Sequence, residues 1–183
     1  MRITATQIEQ WAHTRDAQGA LPLLVRRLIS ATSETTALAM PSGDSVGLPG
    51  YDGVVQASRG NAWVPVGLSL WETGCSEGVI KKARSDFKKR SESSTKESAA
   101  NTTFVFVSSR RWGRKQEWVI EAKNSNHWLD VRAYDADDLE AWLETAPGVS
   151  LWFSELLGLS GSGVSSVARY WDTWRSQSSP ALT

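Results

Sequence analysis

Two carboxylates twenty residues apart, Asp52 and Glu72, are the side chains of this sequence best suited to joint chemistry. Each adjoins an apolar run typical of a β-strand: residues 54–57 follow the aspartate, and residues 64–71 precede the glutamate. The Ser-Arg-Gly-Asn segment at 58–61 predicts a hairpin turn, because Gly and Asn tolerate the positive φ of such turns. A hairpin would bring both acids to one edge of a sheet, where they could share Mg²⁺ and support phosphodiester hydrolysis. The spacing alone is also compatible with a turn aspartate and a solvated glutamate.

The hydrophobic pattern of the remaining chain predicts an α/β fold, with a sheet flanked by helices. Residues 102–107 form a nearly continuous β-branched and aromatic run, as expected for a strand buried on both faces. Asp135 is placed to cap an amphipathic helix with a buried stripe of Leu139, Trp142 and Leu143. We expect further helices at 4–17, 21–31, 79–90, 115–123 and 148–157, and further strands at 37–40 and 128–133.

Two segments contain residues that are unfavourable in the interior of a helix or strand. Pro22 is expected in the first turn of its helix, where a missing N–H costs little. Residues 91–101 are polar and lack apolar periodicity, which predicts a mobile loop.

Charge is balanced over the whole chain but unevenly distributed along it. The sequence has 20 Lys and Arg against 20 Asp and Glu, yet residues 81–90 and 110–115 are strongly basic and residues 135–144 are acidic. A basic face on a neutral protein can still bind phosphate groups, although an isolated basic run is commonly a solvated surface. Trp112, within the second basic run, is a candidate for stacking on a nucleic-acid base.

Cysteine content and hydropathy exclude several classes of protein. The single cysteine, Cys75, permits no internal disulfide, which fits a cytoplasmic location. One cysteine and two distant histidines, His13 and His127, do not provide the ligand set of an ordinary zinc site. No apolar run approaches the roughly 18 residues that a membrane helix requires, so no membrane partner is expected.

Seven short segments carry a resemblance to a known nuclease family. They are residues 41–46 (PSGDSV), 50–53 (GYDG), 64–74 (VPVGLSLWETG), 82–83 (KA), 86–90 (DFKKR), 103–107 (TFVFV) and 131–139 (VRAYDADDL). Together they resemble the PD-(D/E)XK restriction-endonuclease-like fold, and in particular the Mrr-like or related N-terminal nuclease domains of bacterial antiphage STAND NTPases (the AVAST type). The resemblance covers most of residues 1–158. It implies a restriction-endonuclease-like mixed sheet and a metal-dependent DNA endonuclease with little sequence preference, since phosphate contacts carry no base information.

The resemblance also implies roles for individual side chains. Asp52 and Glu72 would be catalytic acids that bind Mg²⁺ or Mn²⁺, and Glu9 in the first helix could supply a third metal-facing carboxylate. The family's lysine, two residues after the glutamate, is replaced here by Gly74. We expect Lys82, near the start of the next helix, to replace it. Double-stranded DNA would be held by cations of the two basic runs: Lys81, Lys88, Lys89, Arg90, Arg110, Arg111, Arg114 and Lys115.

A larger protein is the further implication of this resemblance. Residues 1–158 would form the nuclease domain, residues 159–166 a linker, and residues 167–183 the start of, or a docking helix for, a following ATPase module. A helix at 164–175 would carry an aromatic stripe of Val167, Tyr170, Trp171 and Trp174. Family members act in antiphage defence and are activated by oligomerisation, so a homo-oligomer is expected.

Two alternative functions are compatible with the same residues. One is a catalytically inactive nucleic-acid-binding or protein-docking module on the same fold, for which Gly74 is the main support. The other is a structural adaptor that joins its neighbour through the C-terminal tryptophans.

Overall fold

One mixed sheet of five strands organises the computed structural model, which describes residues 2–41, 50–159, 171 and 174–176. The strands lie in chain order, β1 to β5. They are β1 (Thr35–Ala39), β2 (Gly53–Ala57), β3 (Gly67–Gly74), β4 (Thr102–Ser108) and β5 (Asp130–Tyr134). The helices are α1 (Ala5–Trp11), α2 (Ala17–Thr32), α3 (Val79–Ser93), α4 (Lys96–Ala99), α5 (Lys115–Lys123), α6 (Ala136–Glu144) and α7 (Pro147–Leu156). The α/β class predicted from the sequence is therefore confirmed.

The sheet is antiparallel on one side and parallel on the other. β1, β2 and β3 pair antiparallel, so β2 and β3 form the expected hairpin. β3, β4 and β5 pair parallel. Parallel neighbours need a crossover connection, and α3 with α4 supplies the first while α5 supplies the second.

Alternating side chains of β4 enter two separate cores. Phe104 and Phe106 pack with apolar residues of α3 and α5, whereas Val105 and Val107 pack with those of α1, α2, α6 and α7. Every residue of β4 is buried, which confirms the prediction of a strand covered on both faces. The sheet is thus a middle layer between two layers of helices, and its strand ends are left to form sites.

The N-terminal helices differ from their predicted bounds. Thr4 caps α1 with a capping box to Gln7, but the helix ends at Trp11 rather than at residue 17. α2 begins at Ala17, four residues before its apolar run, so Pro22 lies in the second turn and not in the first. Ala17 is itself fully buried, which explains the earlier start. The corner between the two helices becomes one wall of the site described below.

Two predicted connections were also wrong. The four-residue turn at 58–61 is a loop that continues to residue 66, since the Asn61 side chain accepts hydrogen bonds from the backbone N–H groups of Trp63 and Val64. The polar segment 91–101 contains the end of α3 and all of α4. Thr95 caps α4 and Ala99 is buried, so the segment is anchored despite its composition.

The other expected elements are present, with boundaries shifted by up to three residues. Asp135 caps α6 in a capping box, and the predicted stripe of that helix is buried. None of the described helices is long and apolar enough to cross a membrane. The proposed linker at 159–166 lies, after its first residue, outside the described residues, as do Val167 and Tyr170. Trp171 and Trp174 are helical, exposed, and stacked with ring centroids 5.0 Å apart.

Candidate active site

The β2–β3 hairpin brings Asp52 and Glu72 together, as the sequence predicted. Gly53 pairs with Trp71 across the hairpin, so the residues just beyond this pair are the two acids. Asp52 Oδ2 accepts hydrogen bonds from both the backbone N–H and the hydroxyl of Thr73, each at 2.8 Å. These bonds fix one carboxylate at the start of β2 against the strand that carries the other.

Glu72 is a buried acid held by an arginine. It is 2% exposed, and its Oε1 accepts a hydrogen bond from Arg90 Nε. A second nitrogen of the same guanidinium donates to the Gly50 carbonyl, and the group lies 4.8 Å from the centre of the Tyr51 ring. Arg90 is itself buried, so this ion pair is enclosed by protein.

Burial raises the pKa of Glu72 from 4.5 to about 7. The hydrogen bond from Arg90 lowers this pKa, while the charges of Asp52 and Asp86 raise it further. Desolvation is the largest cause, because an ionised carboxylate loses its hydration when it is enclosed. Perturbed titration of this kind is common where acids perform chemistry, although structural ion pairs also produce it.

One face of α3 supplies the cations nearest to these acids. Lys82, Asp86 and Arg90 recur every fourth residue, which places them on the same side of the helix. Lys82 Nζ lies 2.6 Å from Asp86 Oδ2. Asp86 is a buried acid to which the sequence assigned no role. The sequence signal that could have identified it is its position four residues from both Lys82 and Arg90 on a predicted helix.

Gly74 makes room for Lys82. A Cβ atom added at Gly74 would lie 3.2 Å from Lys82 Cγ and 3.8 Å from Lys82 Cε. The alkyl chain of the lysine therefore occupies the space beside the strand position at which the resembling family carries its own lysine. The two residues also line one cleft together with Asp52.

This cleft has a volume of about 430 Å³ and mainly polar walls. One wall is formed by the ends of the hairpin and the start of α3, and includes Asp52, Thr73 and Lys82. A second wall is the corner between α1 and α2, which includes Arg15 and Gln18. Clefts of roughly 300–1,000 Å³ are typical of small-ligand sites.

A two-carboxylate metal site fits this donor set, but a three-carboxylate site does not. Glu9 is engaged by Arg111, whose Nη1 lies 2.7 Å from Glu9 Oε2 and whose backbone N–H also donates to the carboxylate. Within the described ranges, no three His, Cys, Asp or Glu side chains are grouped closely enough to hold a metal. Mg²⁺ commonly takes one or two carboxylates and completes its shell with water and phosphate oxygen. Asp52 and Glu72 can supply those two carboxylates.

Most of the cations expected to bind DNA are engaged by acids of the same chain. Arg90 holds Glu72, and Arg111 holds Glu9 and Asp137. Lys115 lies between Asp135 and Asp138, which raise its pKa against the effect of burial. The pairs of Lys88 with Glu92 and of Arg114 with Glu117 are exposed. Lys81 and Lys89 are exposed and make no ion pair with another described residue.

Arg110 is half-buried and binds backbone carbonyl groups beside the cleft. It donates to the Cys75 carbonyl at 3.0 Å and to the Ala12 carbonyl at 3.2 Å. A third nitrogen contacts His13 Nε2 at 2.7 Å. Because Cys75 and Ala12 belong to opposite walls, Arg110 ties the walls together.

Trp112 does not present its ring for base stacking. It is 7% exposed and packs against Phe106 and Trp118, with ring centroids 6.1 and 5.1 Å away. Arg111 and Arg114 are exposed and Arg110 is half-buried, while the indole joins the core.

No family model, curated protein or solved structure matches this chain. Its function must therefore be inferred from the chemistry of the cleft.

Proposed function

We propose that this chain is a metal-dependent DNA endonuclease domain with a restriction-endonuclease-like fold and little sequence specificity. The observation that carries the proposal is the position of Lys82 beside Gly74, in the cleft that also contains Asp52. A nuclease of the resembling family needs a lysine near its two acids. Here the strand position is glycine, and the neighbouring helix returns a lysine to the same space.

The chemistry of the proposal follows from the positions of four side chains. A bound Mg²⁺ would polarise the phosphate and lower the pKa of an attacking water. Asp52 and Glu72 would hold that ion. Lys82 would donate a hydrogen bond to the water or to the developing negative charge, and Asp86 would keep the lysine oriented through their ion pair. Asp86 is thus a positioning residue.

Arg90 is a second positioning residue under this proposal. Its hydrogen bond engages one oxygen of Glu72, and the other oxygen would be the one to bind a cation near Asp52. Its bond to the Gly50 carbonyl also fixes the segment that leads into Asp52. Substitution of a residue that orients a metal-binding side chain typically lowers metal affinity by about tenfold or more.

The family resemblance extends the proposal to a biological setting. The domain would act as the nuclease effector of a larger bacterial antiphage protein, and oligomerisation would pair two active sites for cleavage of double-stranded DNA. Lys81 and Lys89 are predicted DNA contacts that are exposed and make no ion pair with a described acid. They would hold the phosphate backbone through electrostatic attraction.

A second candidate is a binding module that keeps the fold without catalysis. Two ion pairs favour it: Arg90 engages Glu72, and Lys82 Nζ lies 2.6 Å from Asp86 Oδ2. The charges of these side chains are therefore already neutralised without a metal. Such a site could bind nucleic acid or protein without a metal. The two candidates differ in whether a divalent cation enters the cleft.

Plasmid cleavage with Mg²⁺ or Mn²⁺ tests the proposal. The wild-type chain should cleave, and Asp52→Asn and Glu72→Gln should each abolish cleavage. Glu97→Gln is the matched control, because its side chain is exposed and makes no ion pair with a described residue. If cleavage fails, a Mg²⁺ titration by NMR decides: shifts centred on Asp52 and Glu72 support metal binding, and unchanged spectra favour the binding module.

A further inference from the structure

We propose that Arg15 and Gln18 bind the phosphodiester of the nucleic-acid substrate from the wall of the cleft opposite Asp52. This inference rests on the proposed function and names the residues that hold its substrate. Both lie at the corner between α1 and α2, which the sequence did not indicate as part of a site.

The corner lines the same cleft as Asp52. Arg15 and Gln18 line the same 430 Å³ space as Asp52, Thr73 and Lys82. Both are exposed. A group that enters the cleft therefore meets carboxylate on one side and guanidinium and amide donors on the other.

Arg15 is a free cation within the described part of the chain. No described side chain forms an ion pair or hydrogen bond with its guanidinium, whereas Arg110, Arg111 and Arg114 are all engaged. Its planar fork of N–H donors matches the oxygens of a phosphate. An unpaired arginine opposite a candidate metal site is the arrangement that a bound phosphodiester would complete.

The position of this wall is fixed by contacts other than those of Arg15. Arg110 joins the Ala12 carbonyl to the Cys75 carbonyl across the end of the cleft. The corner itself is closed by backbone hydrogen bonds from Thr14 to Trp11 and from Ala17 to Thr14. Substitution of Arg15 should consequently alter ligand binding without disturbing the fold.

A phosphodiester has two non-bridging oxygens, which can be bound from opposite sides. One could be bound by a divalent cation if Asp52 holds one, and the other would accept hydrogen bonds from Arg15 and Gln18. This arrangement holds the phosphorus between the walls and leaves Lys82 beside the reacting face. Binding of the ground state, rather than catalysis, is the role inferred for both residues.

The test measures the binding of a fluorescein-labelled DNA duplex to the full chain by fluorescence anisotropy. Ca²⁺ replaces Mg²⁺ in this experiment so that the DNA is not cleaved. Arg15→Gln should raise Kd about tenfold, because a hydrogen bond to a charged group is lost. Arg59→Gln is the control: Arg59 is also exposed and makes no ion pair with a described residue, but it lies in the loop at the far end of the hairpin. It should change Kd by less than about twofold.

Each outcome decides the inference separately from the nuclease proposal. Equal effects of the two substitutions, no effect of Arg15→Gln, or no binding by the wild type would overturn it. Plasmid cleavage at subsaturating DNA that is unaffected by Arg15→Gln would overturn this inference alone. DNA binding that depends on Arg15, in a chain that neither cleaves nor shows Mg²⁺-induced shifts at Asp52 and Glu72, would overturn the nuclease proposal alone.

Discussion

Replacing Glu72 with glutamine should change how the stability of the protein depends on pH. Glutamine keeps the size of the side chain and an oxygen that can accept from Arg90, but it has no charge to bury. The comparison isolates the free energy of ionising this carboxyl, since the contributions of other groups largely cancel in the difference.

The direction follows from the pKa of Glu72, which is about 7 in the folded protein against an ordinary 4.5. Between these values the folded protein binds more protons than the unfolded chain, so its free energy of unfolding falls as pH rises. This contribution is fully retained below about pH 4.5 and lost above about pH 7. At about 1.4 kcal/mol per pH unit, the loss is about 3 kcal/mol. The stability of Glu72→Gln relative to the wild type should rise by that amount.

Urea unfolding, followed by tryptophan fluorescence at several pH values between 4.5 and 8, measures this difference. Trp71 is fully buried next to Glu72 and should report on the same region. Glu97→Gln should show no such trend, because its side chain is exposed. If the difference in free energy of unfolding between Glu72→Gln and the wild type does not change with pH, the reasoning is refuted. A trend in the opposite direction would mean that Arg90 outweighs burial and keeps the carboxylate ionised.

Three further predictions concern the cations. Lys82→Ala should lower the initial rate of plasmid cleavage by about a hundredfold, the lower end of the loss when one donor to a developing charge is removed. Gly74→Lys in that background should recover part of this loss, and no recovery would show that a lysine at position 74 cannot replace Lys82. Lys115→Met should lower the free energy of unfolding by about 3 kcal/mol, since it leaves two carboxylates unpaired, and a chemical denaturation curve that matches the wild type would contradict this. Lys89→Ala should reduce the slope of log K for DNA binding against log salt concentration by about one phosphate contact. Arg114→Ala should leave this slope unchanged. If the slopes of Lys89→Ala and the wild type are equal, Lys89 does not contact DNA.

The parts of the fold that the sequence predicted are those in which one local signal agrees with burial. The run at 102–107 is apolar on both alternating faces, so only a central strand could bury it. Asp135 precedes both an acidic first turn and an apolar stripe, and these signals together define the start of α6. The meeting of Asp52 with Glu72 was predictable for the same reason, because a hairpin fixes which residues lie side by side.

Contacts between distant elements were not predictable from local signals. Arg90 was assigned to DNA because its neighbours in sequence are basic, but the rotation of α3 points it at Glu72. Trp112 has arginines on both sides in sequence, yet its indole faces Phe106 within the sheet's second core. Ala99 anchors a polar segment through a single small side chain. In each case the direction of a side chain is set by packing, which composition does not encode.

The buried charges between β3 and α3 are better explained by a function than by stability. An enclosed ion pair such as Arg90 with Glu72 loses hydration that its own attraction only partly restores, and apolar residues of similar volume are often as stabilising or more so. The raised pKa of Glu72 expresses that cost directly, since the carboxyl resists ionisation even with a guanidinium beside it. Both the nuclease and the binding module place their ligand at this face, and only the nuclease requires a divalent cation there. Mg²⁺ should therefore stabilise the wild type more at pH 8 than at pH 6, because a metal ligand must be deprotonated, and it should not stabilise Glu72→Gln to the same extent. Thermal unfolding with and without Mg²⁺ at the two pH values measures this, and equal shifts for the two proteins would leave the cation without a site at Glu72.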